Sequence, residues 1–280
     1  MSVSLSVSGK ALRMRRLTHA VSGKCLMVPL DHSLADGPIA TPALLRNLVT
    51  DIARHGGNAV VMHKGRARFL PPEALGDLAL VVHLNGCTRY AQDSNAKELF
   101  SSVEDAISVG ADAVSLHINM GAETETRQLR DLARVASECQ RWSLPLMAMV
   151  YPRGPGIEGL PSFELLGHAA NLAAELGADI VKLPYSGDPI SMARVIDNSP
   201  LPVLVAGGAK LPESEFVKLT ANIMQSGAWG IAAGRNVFNS TDVAGLITRL
   251  AHTLHGETQS AFLASPIERA AIPAALFQRG

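Results

Sequence analysis

The chain has 280 residues, 47% of them apolar, and its 25 basic residues balance 25 acidic ones, so that the formal net charge is zero. Like charges do not cluster, no run approaches the roughly 18 apolar residues of a membrane span, and the N-terminus lacks a signal-peptide core, so we expect no nucleic-acid partner, no membrane and no export. The cysteines Cys25, Cys87 and Cys139 are odd in number and lack CxxC spacing, which favours a reducing compartment and predicts a cytoplasmic protein.

Short apolar runs alternate with longer amphipathic segments about eight times along the chain. The runs predict strands at 24–30, 58–62, 78–84, 112–118, 146–151, 179–183, 202–205 and 229–233. Their nearly continuous apolar character is typical of parallel strands that are covered on both faces. The amphipathic segments predict helices at 42–55, 96–109, 123–142, 162–176, 189–197, 212–226 and 241–255. The connection around 71–75 is too short for a full helix.

Three helical segments end in glycine directly before the next strand, in GAD at 110–112, GAD at 177–179 and GAW at 227–229. A left-handed glycine ends a helix and turns the chain back toward a sheet, so the repetition supports a repeated βα unit. Eight such units predict an α/β protein with a single (β/α)8 TIM barrel, and a doubly wound open sheet is the alternative.

We expect the whole chain, residues 1–280, to form one domain with its barrel at about 21–255. Residues 5–20 would then cover the bottom of the barrel. The tail at 256–280 carries too many apolar side chains to leave in water, which predicts that it packs on the barrel or on another subunit of a homo-oligomer.

One lysine interrupts an apolar strand. Lys182 lies in the segment ADIVKLPYSG at 178–187. Lysine is among the residues least often buried, and removal from water favours the neutral amine, which attacks carbonyl carbons. Lys182 is therefore a candidate Schiff-base lysine. The alternative is a structural lysine that reaches solvent at the strand end or pairs with a carboxylate.

Catalysis in (β/α)8 barrels takes place at the carboxyl ends of the strands, so the polar residues at those ends are candidate site residues. Beside Lys182 they include Asp31, His32, His63, Lys64, His83, His117, Tyr151, Arg153 and Arg235. Asp31 and Tyr151 would move protons next to an amine, although a capping aspartate and a core tyrosine are the ordinary alternatives. Lys64 is a rival amine at its strand tip, where solvent keeps it charged, so Lys182 is favoured.

Four histidines at this rim raise the hypothesis of a metal site, because imidazole is a common zinc ligand. The sequence contains no HxH strand pair and no HExxH helix, so we predict no metal. A single histidine on each strand is more often a hydrogen-bonding residue. We therefore interpret His32, His63 and His117 as substrate-binding candidates, together with Lys64.

The last two predicted strands end in glycine-rich loops, AGGAK at 206–210 and AAGRNVF at 232–238. Such loops let backbone N–H groups approach an anion, in the region where many barrels hold a phosphate. Gly207, Gly208, Gly234 and Arg235 are accordingly the candidate phosphate site. The GxGxxG pattern is absent, so the sequence does not predict a dinucleotide cofactor.

The rim residues lie in motifs that occur together in a known family. The motifs are VPLDHSLADGP, VVMHKG, DAVSLHINMG, MAMVYPRGP, ADIVKLPYSGD, PVLVAGG and GIAAGRNVF. In their order and spacing over roughly 12–254 the chain resembles the DhnA-type class I aldolase family. The resemblance implies a (β/α)8 barrel that forms an imine with a ketose phosphate, uses no metal or organic cofactor, and assembles as a large homo-oligomer, commonly a decamer. It matches the imine lysine to Lys182 and the acid/base pair to Asp31 and Tyr151.

Within that family the run at 78–121 resembles the branch that joins a keto-sugar phosphate to L-aspartate 4-semialdehyde. The chain has DHS at 31–33 and KLPYSG at 182–187, where the archaeal-type ulosonate synthases of this branch have DHG and KTNYTG. These departures favour the branch member that uses dihydroxyacetone phosphate. The alternatives are an archaeal-type ulosonate synthase, a fructose-bisphosphate aldolase, a metal-dependent barrel lyase or hydrolase, and a barrel that only binds a phosphorylated metabolite.

Overall fold

The computed structural model describes residues 8–157 and 161–256. Its strands are β1 (Cys25–Pro29), β2 (Ala59–Met62), β3 (Ala79–His83), β4 (Asn85–Gly86), β5 (Glu98–Leu99), β6 (Ala113–Met120), β7 (Leu146–Pro152), β8 (Ile180–Leu183), β9 (Val203–Ala206) and β10 (Gly230–Ala232). Its helices are α1 (Gly9–Arg16), α2 (Ser33–Asp36), α3 (Pro42–Arg54), α4 (Lys64–Ala67), α5 (Pro72–Leu75), α6 (Val103–Ser108), α7 (Glu125–Trp142), α8 (Phe163–Glu175), α9 (Pro189–Asp197), α10 (Glu213–Gln225), α11 (Arg235–Phe238) and α12 (Val243–His255).

Eight parallel strands close into a barrel in the order β1-β10-β9-β8-β7-β6-β3-β2. The first and the last strand pair with each other, with Cys25 opposite Gly230, so the barrel has no open edge. This closure confirms the predicted (β/α)8 barrel and excludes the open doubly wound sheet. The predicted helix ends are also confirmed, because Gly110, Gly177 and Gly227 have φ of +85°, +89° and +86°.

Side chains along each barrel strand alternate between two cores. One row points inward and fills the barrel, as with Met27 and Val61, whereas the next row packs outward against the helices, as with Val28 and Met62. Successive residues of a strand face opposite sides, so the inward row repeats every two residues. Any side chain that continues an inward row past the end of its strand therefore lies at the barrel mouth.

Helix α1 covers the end of the barrel at which the strands begin, as predicted for the cover segment at 5–20. Leu17, just after α1, is fully buried and packs with the inner core. Lys10 and Arg16 form ion pairs at 3.0 and 2.8 Å with Asp179 and Asp112, which directly precede β8 and β6. The active end must therefore be the other one.

The segment before α6 differs from the predicted helix at 96–109. The helix begins only at Val103, because Ser102 and Asp105 form a capping box that fixes its first turn. Upstream of it, β5 pairs with β4 in a two-stranded antiparallel sheet. Residues 84–101 thus form an excursion over the barrel mouth, where the amphipathic pattern alone predicted a longer helix.

Two expectations extend beyond the described residues. The predicted tail at 256–280 lies outside them apart from Gly256, and so does the start of the cover segment, 5–7. The extent of the domain over residues 1–280 stays a prediction. Within the described residues, no helix combines the length and the hydropathy that crossing a membrane requires.

Candidate active site

The polar side chains at the barrel mouth continue the inward rows of their strands. His63 follows Val61 by two positions, His83 follows Val81, Tyr151 follows Met149, Lys182 follows Ile180, and both Asp31 and His117 stand four positions after an inner-core residue. The alternation of strand side chains thus directs six residues toward one space. The sequence predicted the rim position of each, and the structure brings them together.

Lys182 lies inside the barrel with only 7% of its surface exposed. It is paired in register with Met149 of β7, and its Nζ lies 3.7 Å from the Met149 Sδ and 5.8 Å from the centre of the Tyr151 ring. The ion pairs found in the described residues do not include Lys182. Lys182 is therefore buried at the barrel mouth and has no carboxylate partner in the described residues, which argues against a structural ion pair and against a side chain extended into bulk solvent.

Asp31 is the carboxylate of this space. Burial raises the pKa of Asp31, but its electrostatic interactions with His83, His32, Lys182 and His63 together outweigh that effect, so the pKa lies below its ordinary value. One oxygen lies 3.4 Å from His32 Nδ1 and the other 3.9 Å from His83 Nε2. The side chain is therefore held as a carboxylate at neutral pH.

In each of three rim histidines, one ring nitrogen is hydrogen-bonded to another group of the barrel. His63 Nδ1 donates to the His83 carbonyl at 3.0 Å, and His83 Nδ1 bonds the Ser115 hydroxyl at 2.8 Å. His117 Nε2 donates to Asn119 Oδ1 at 2.8 Å, and its ring lies 4.9 Å from that of Tyr151. These bonds fix the ring orientations.

Burial makes these imidazoles neutral. It lowers the pKa of His83 to about 4, lowers the pKa of His117 well below its usual range, and also lowers the pKa of His63 and of His32. In the described part of the chain, no three His, Cys, Asp or Glu side chains are arranged to hold a metal ion. The neutral rings can donate hydrogen bonds to a polar substrate or accept hydrogen bonds from it, and they bring no positive charge to the site.

The glycine loops after β9 and β10 interlock on the other side of Lys182. The Gly207 N–H donates to the Ala232 carbonyl at 2.9 Å, and Arg235 donates to the Gly208 carbonyl at 3.1 Å. The buried Asn236 side chain donates to Gly207 and Ala209 carbonyls at 3.1 and 2.9 Å, which fixes the first loop.

Of the three glycines in these two loops, Gly234 lies closest to neighbouring atoms. A Cβ at this position would lie 2.7 Å from the His32 Cε1 and 2.9 Å from the Pro29 carbonyl oxygen. Any other residue would therefore push the His32 ring away.

Two cavities meet at Lys182. The glycine-side cavity, of about 380 Å³, is lined by the two glycine loops, Pro184 and Tyr185. The histidine-side cavity, of about 350 Å³, is lined by Asp31, Asp36, His63, His83, Asn85, Cys87, Lys97 and His117. Both are lined by His32, Tyr151, Arg153, Lys182 and Arg235. The amine can therefore reach a molecule in either cavity.

Lys64 does not belong to this group. It follows the outward residue Met62 by two positions, its side chain is 39% exposed, and its Nζ forms an ion pair with Asp105 at 2.6 Å. It lines neither of the two cavities. The structure therefore separates the rival amine from the other predicted site residues.

The sequence does not identify four of the cavity-lining residues as binding candidates. His83 and Arg153 are predicted only as rim residues, Lys97 lies in a predicted helix, and Asp36 is not predicted at all. The alternation rule identifies His83, because it lies two residues after the inward Val81. Nothing in the sequence places Lys97, whose position depends on the excursion over the mouth.

Comparisons with known proteins agree with this geometry. A family profile described as DeoC/LacD family aldolase matches residues 25–240. A 2-amino-4,5-dihydroxy-6-oxo-7-(phosphonooxy)heptanoate synthase of Streptomyces griseus is 42% identical over 88% of this chain and 90% of that protein. A 2-amino-3,7-dideoxy-D-threo-hept-6-ulosonate synthase of Archaeoglobus fulgidus is 39% identical over 89% of this chain and 92% of that protein.

A solved archaeal fructose-1,6-bisphosphate aldolase, whose catalytic lysine is covalently bound to the carbinolamine intermediate of the substrate, superposes with a TM-score of 0.79. It is 30% identical and the match covers 88% of this chain and 99% of that one. These matches confirm the resemblance to class I aldolases indicated by the motifs. The chain belongs to the DeoC/LacD family of aldolases.

Proposed function

We propose that this Schiff-base aldolase joins dihydroxyacetone phosphate to L-aspartate 4-semialdehyde and forms 2-amino-4,5-dihydroxy-6-oxo-7-(phosphonooxy)heptanoate. The observation that carries the proposal is the position of Lys182, a buried amine shared by two cavities of different chemistry. An aldol addition has two carbonyl substrates, and one cavity is available for each. The heptanoate synthase of Streptomyces griseus is the relative whose name describes this product.

The ketone donor fits the glycine-side cavity. Gly207, Gly208 and Gly234 line it with backbone, and Arg235 adds a positive charge without a carboxylate partner in residues 8–157 and 161–256. Backbone approach together with a guanidinium is the usual chemistry of a phosphate site. A phosphate bound there would place the adjoining ketone toward Lys182.

The reaction then follows from the three central groups. Lys182 Nζ attacks the ketone carbon, and loss of water gives an iminium ion. Asp31 and Tyr151 move the protons: they protonate the departing hydroxyl and remove a proton from the neighbouring carbon, which yields an enamine. The enamine attacks the aldehyde carbon, the aldehyde oxygen takes up a proton, and water releases the product and the free amine.

The identity of both substrates is tested by product mass. The protein is incubated with L-aspartate 4-semialdehyde or glyceraldehyde 3-phosphate, each with dihydroxyacetone phosphate, and the products are analysed by mass spectrometry. We expect a phosphorylated seven-carbon amino acid from the first pair. Fructose bisphosphate from the second pair alone would establish a fructose-bisphosphate aldolase instead.

A further arm tests the ulosonate alternative. Other keto-sugar phosphates replace dihydroxyacetone phosphate while aspartate semialdehyde is kept. A seven-carbon product without phosphate, formed only in this arm, would contradict the proposed donor and support the reaction named for the Archaeoglobus fulgidus relative.

The assembly and the compartment are part of the same proposal. The family resemblance and the apolar tail at 256–280 support a homo-oligomer, with a decamer as the expected state. The free cysteines Cys25, Cys87 and Cys139 support a cytoplasmic location. Light scattering of the purified protein tests the assembly, and a mass of one subunit would contradict it.

A further inference from the structure

The outer wall of the histidine-side cavity is made by the excursion at 84–101. Buried amides anchor it, because Asn119 and Gln128 both donate to the Asn95 carbonyl at 2.9 Å. Its return is fixed by Phe100 and Ser101, whose N–H groups bond the Leu84 carbonyl. The excursion therefore has a defined position over the cavity, and its inward-facing side chains belong to the site.

Lys97 is the cation that this excursion brings to the cavity. Its Nζ donates to Cys87 Sγ at 2.9 Å and to the Ser94 carbonyl at 2.8 Å, and neither partner is a carboxylate. No carboxylate of the described residues lies within ion-pair distance of it. Burial is the main cause of the lowered pKa of His117, and the positive charge of Lys97 is the second cause, so Lys97 acts electrostatically on a residue inside the cavity.

Asp36 brings an opposite charge to the same cavity from the end of α2. Its carboxylate takes part in none of the side-chain hydrogen bonds or ion pairs found in 8–157 and 161–256. Lys97 and Asp36 thus line one cavity of about 350 Å³ without pairing with each other. Asp36 is exposed at the cavity and Lys97 is half-buried there, so a molecule with a negative and a positive group would pair with both charges.

We propose that Lys97 and Asp36 bind the amino-acid end of the acceptor aldehyde, with Lys97 on its α-carboxylate and Asp36 on its α-ammonium. The proposal rests on the proposed function, because it concerns the second substrate of that reaction. It gives the excursion a role in selecting the acceptor. A phosphorylated aldehyde has no positive group for Asp36, so this carboxylate also disfavours such acceptors.

The test uses two variants and two aldehydes that differ by one group. Lys97→Met removes the charge and keeps the length of the side chain, and Asp36→Asn keeps its shape. Succinate semialdehyde is the acceptor without its amino group. We expect Lys97→Met to lower kcat/KM about tenfold or more with both aldehydes, and Asp36→Asn to lower it similarly with aspartate semialdehyde only. Lys97→Arg, which restores a cation, should recover much of the loss.

Controls separate acceptor binding from folding and from the donor step. Lys218→Met removes an exposed lysine of α10 and should leave every rate unchanged. Borohydride trapping of dihydroxyacetone phosphate should be equal in all variants. Loss of trapping in the unmodified protein would overturn the proposed function itself. Normal trapping with unchanged acceptor kinetics in Lys97→Met, or an equal loss with propanal, which has neither charged group, would overturn the role of Lys97.

Discussion

The Nζ of Lys182 lies 3.7 Å from the Sδ of Met149, its register partner on the neighbouring strand. A thioether is a weak hydrogen-bond acceptor, so this contact holds the amine only weakly. We predict that Met149→Glu slows imine formation, because a carboxylate beside Lys182 favours the charged, non-nucleophilic ammonium. The rate of borohydride trapping measures this effect. Met149→Leu is the control, and an equal loss in both variants would contradict the electrostatic explanation.

Stability should depend on pH through the buried histidines. Burial lowers the pKa of His83 and of His255 to about 4, whereas an unfolded histidine titrates near 6.5. Between these values the unfolded chain binds more protons than the folded one, so the free energy of unfolding rises with pH across the window. We expect the urea midpoint to fall as the pH is lowered from 6.5 toward 4.

His83→Gln tests the contribution of one ring. The variant removes one group that must be protonated on unfolding, so the pH dependence should become shallower. An unchanged slope would show that the His83 ring is not the titrating group. Asp31 acts at lower pH, because its pKa lies below 3.8, and its stabilisation is lost only as the pH falls through that lowered pKa.

The close contact at Gly234 predicts a local defect. In Gly234→Ala the new Cβ would meet the His32 ring at 2.7 Å, so we expect a cost of about 1–3 kcal/mol in the free energy of unfolding and a raised KM for the donor. Gly167→Ala, in α8 with nothing within 4 Å of the added carbon, should be neutral or stabilising. Urea denaturation and donor kinetics measure both. Equal behaviour of the two variants would refute the steric account.

The sequence predicts the barrel from its repeated apolar runs, and it predicts the rim residues from their positions at the strand ends. Lys182 and Tyr151 each lie two residues after an inner-core residue of the same strand, so the alternation of strand side chains directs both into the barrel. The same rule, applied strictly, excludes Lys64, which continues an outward row.

Lys97 could not be placed in this way. Its position depends on hydrogen bonds from Asn119 and Gln128 to the Asn95 carbonyl, which join residues 24 and 33 positions apart. Helical periodicity in the residues around it predicted a helix, and these distant bonds override that local pattern.

Phosphate recognition is tested by a substrate that lacks the phosphate. Arg235→Gln should lower kcat/KM for dihydroxyacetone phosphate by about tenfold or more, because the guanidinium has no other anionic partner in the described residues. With dihydroxyacetone the same variant should match the unmodified protein. A similar loss with both ketones would show that Arg235 acts on the fold of the glycine loops instead.

Trapping the imine on Lys182 is the most direct test of the proposed function. The protein is reduced with borohydride in the presence of dihydroxyacetone phosphate, digested, and analysed by mass spectrometry. We expect the reduced donor to add to the peptide that contains Lys182, and we expect Lys182→Met to abolish the label while Lys64→Gln retains it. An unlabelled Lys182 peptide, or a label on Lys64, would show that Lys182 is not the imine-forming residue.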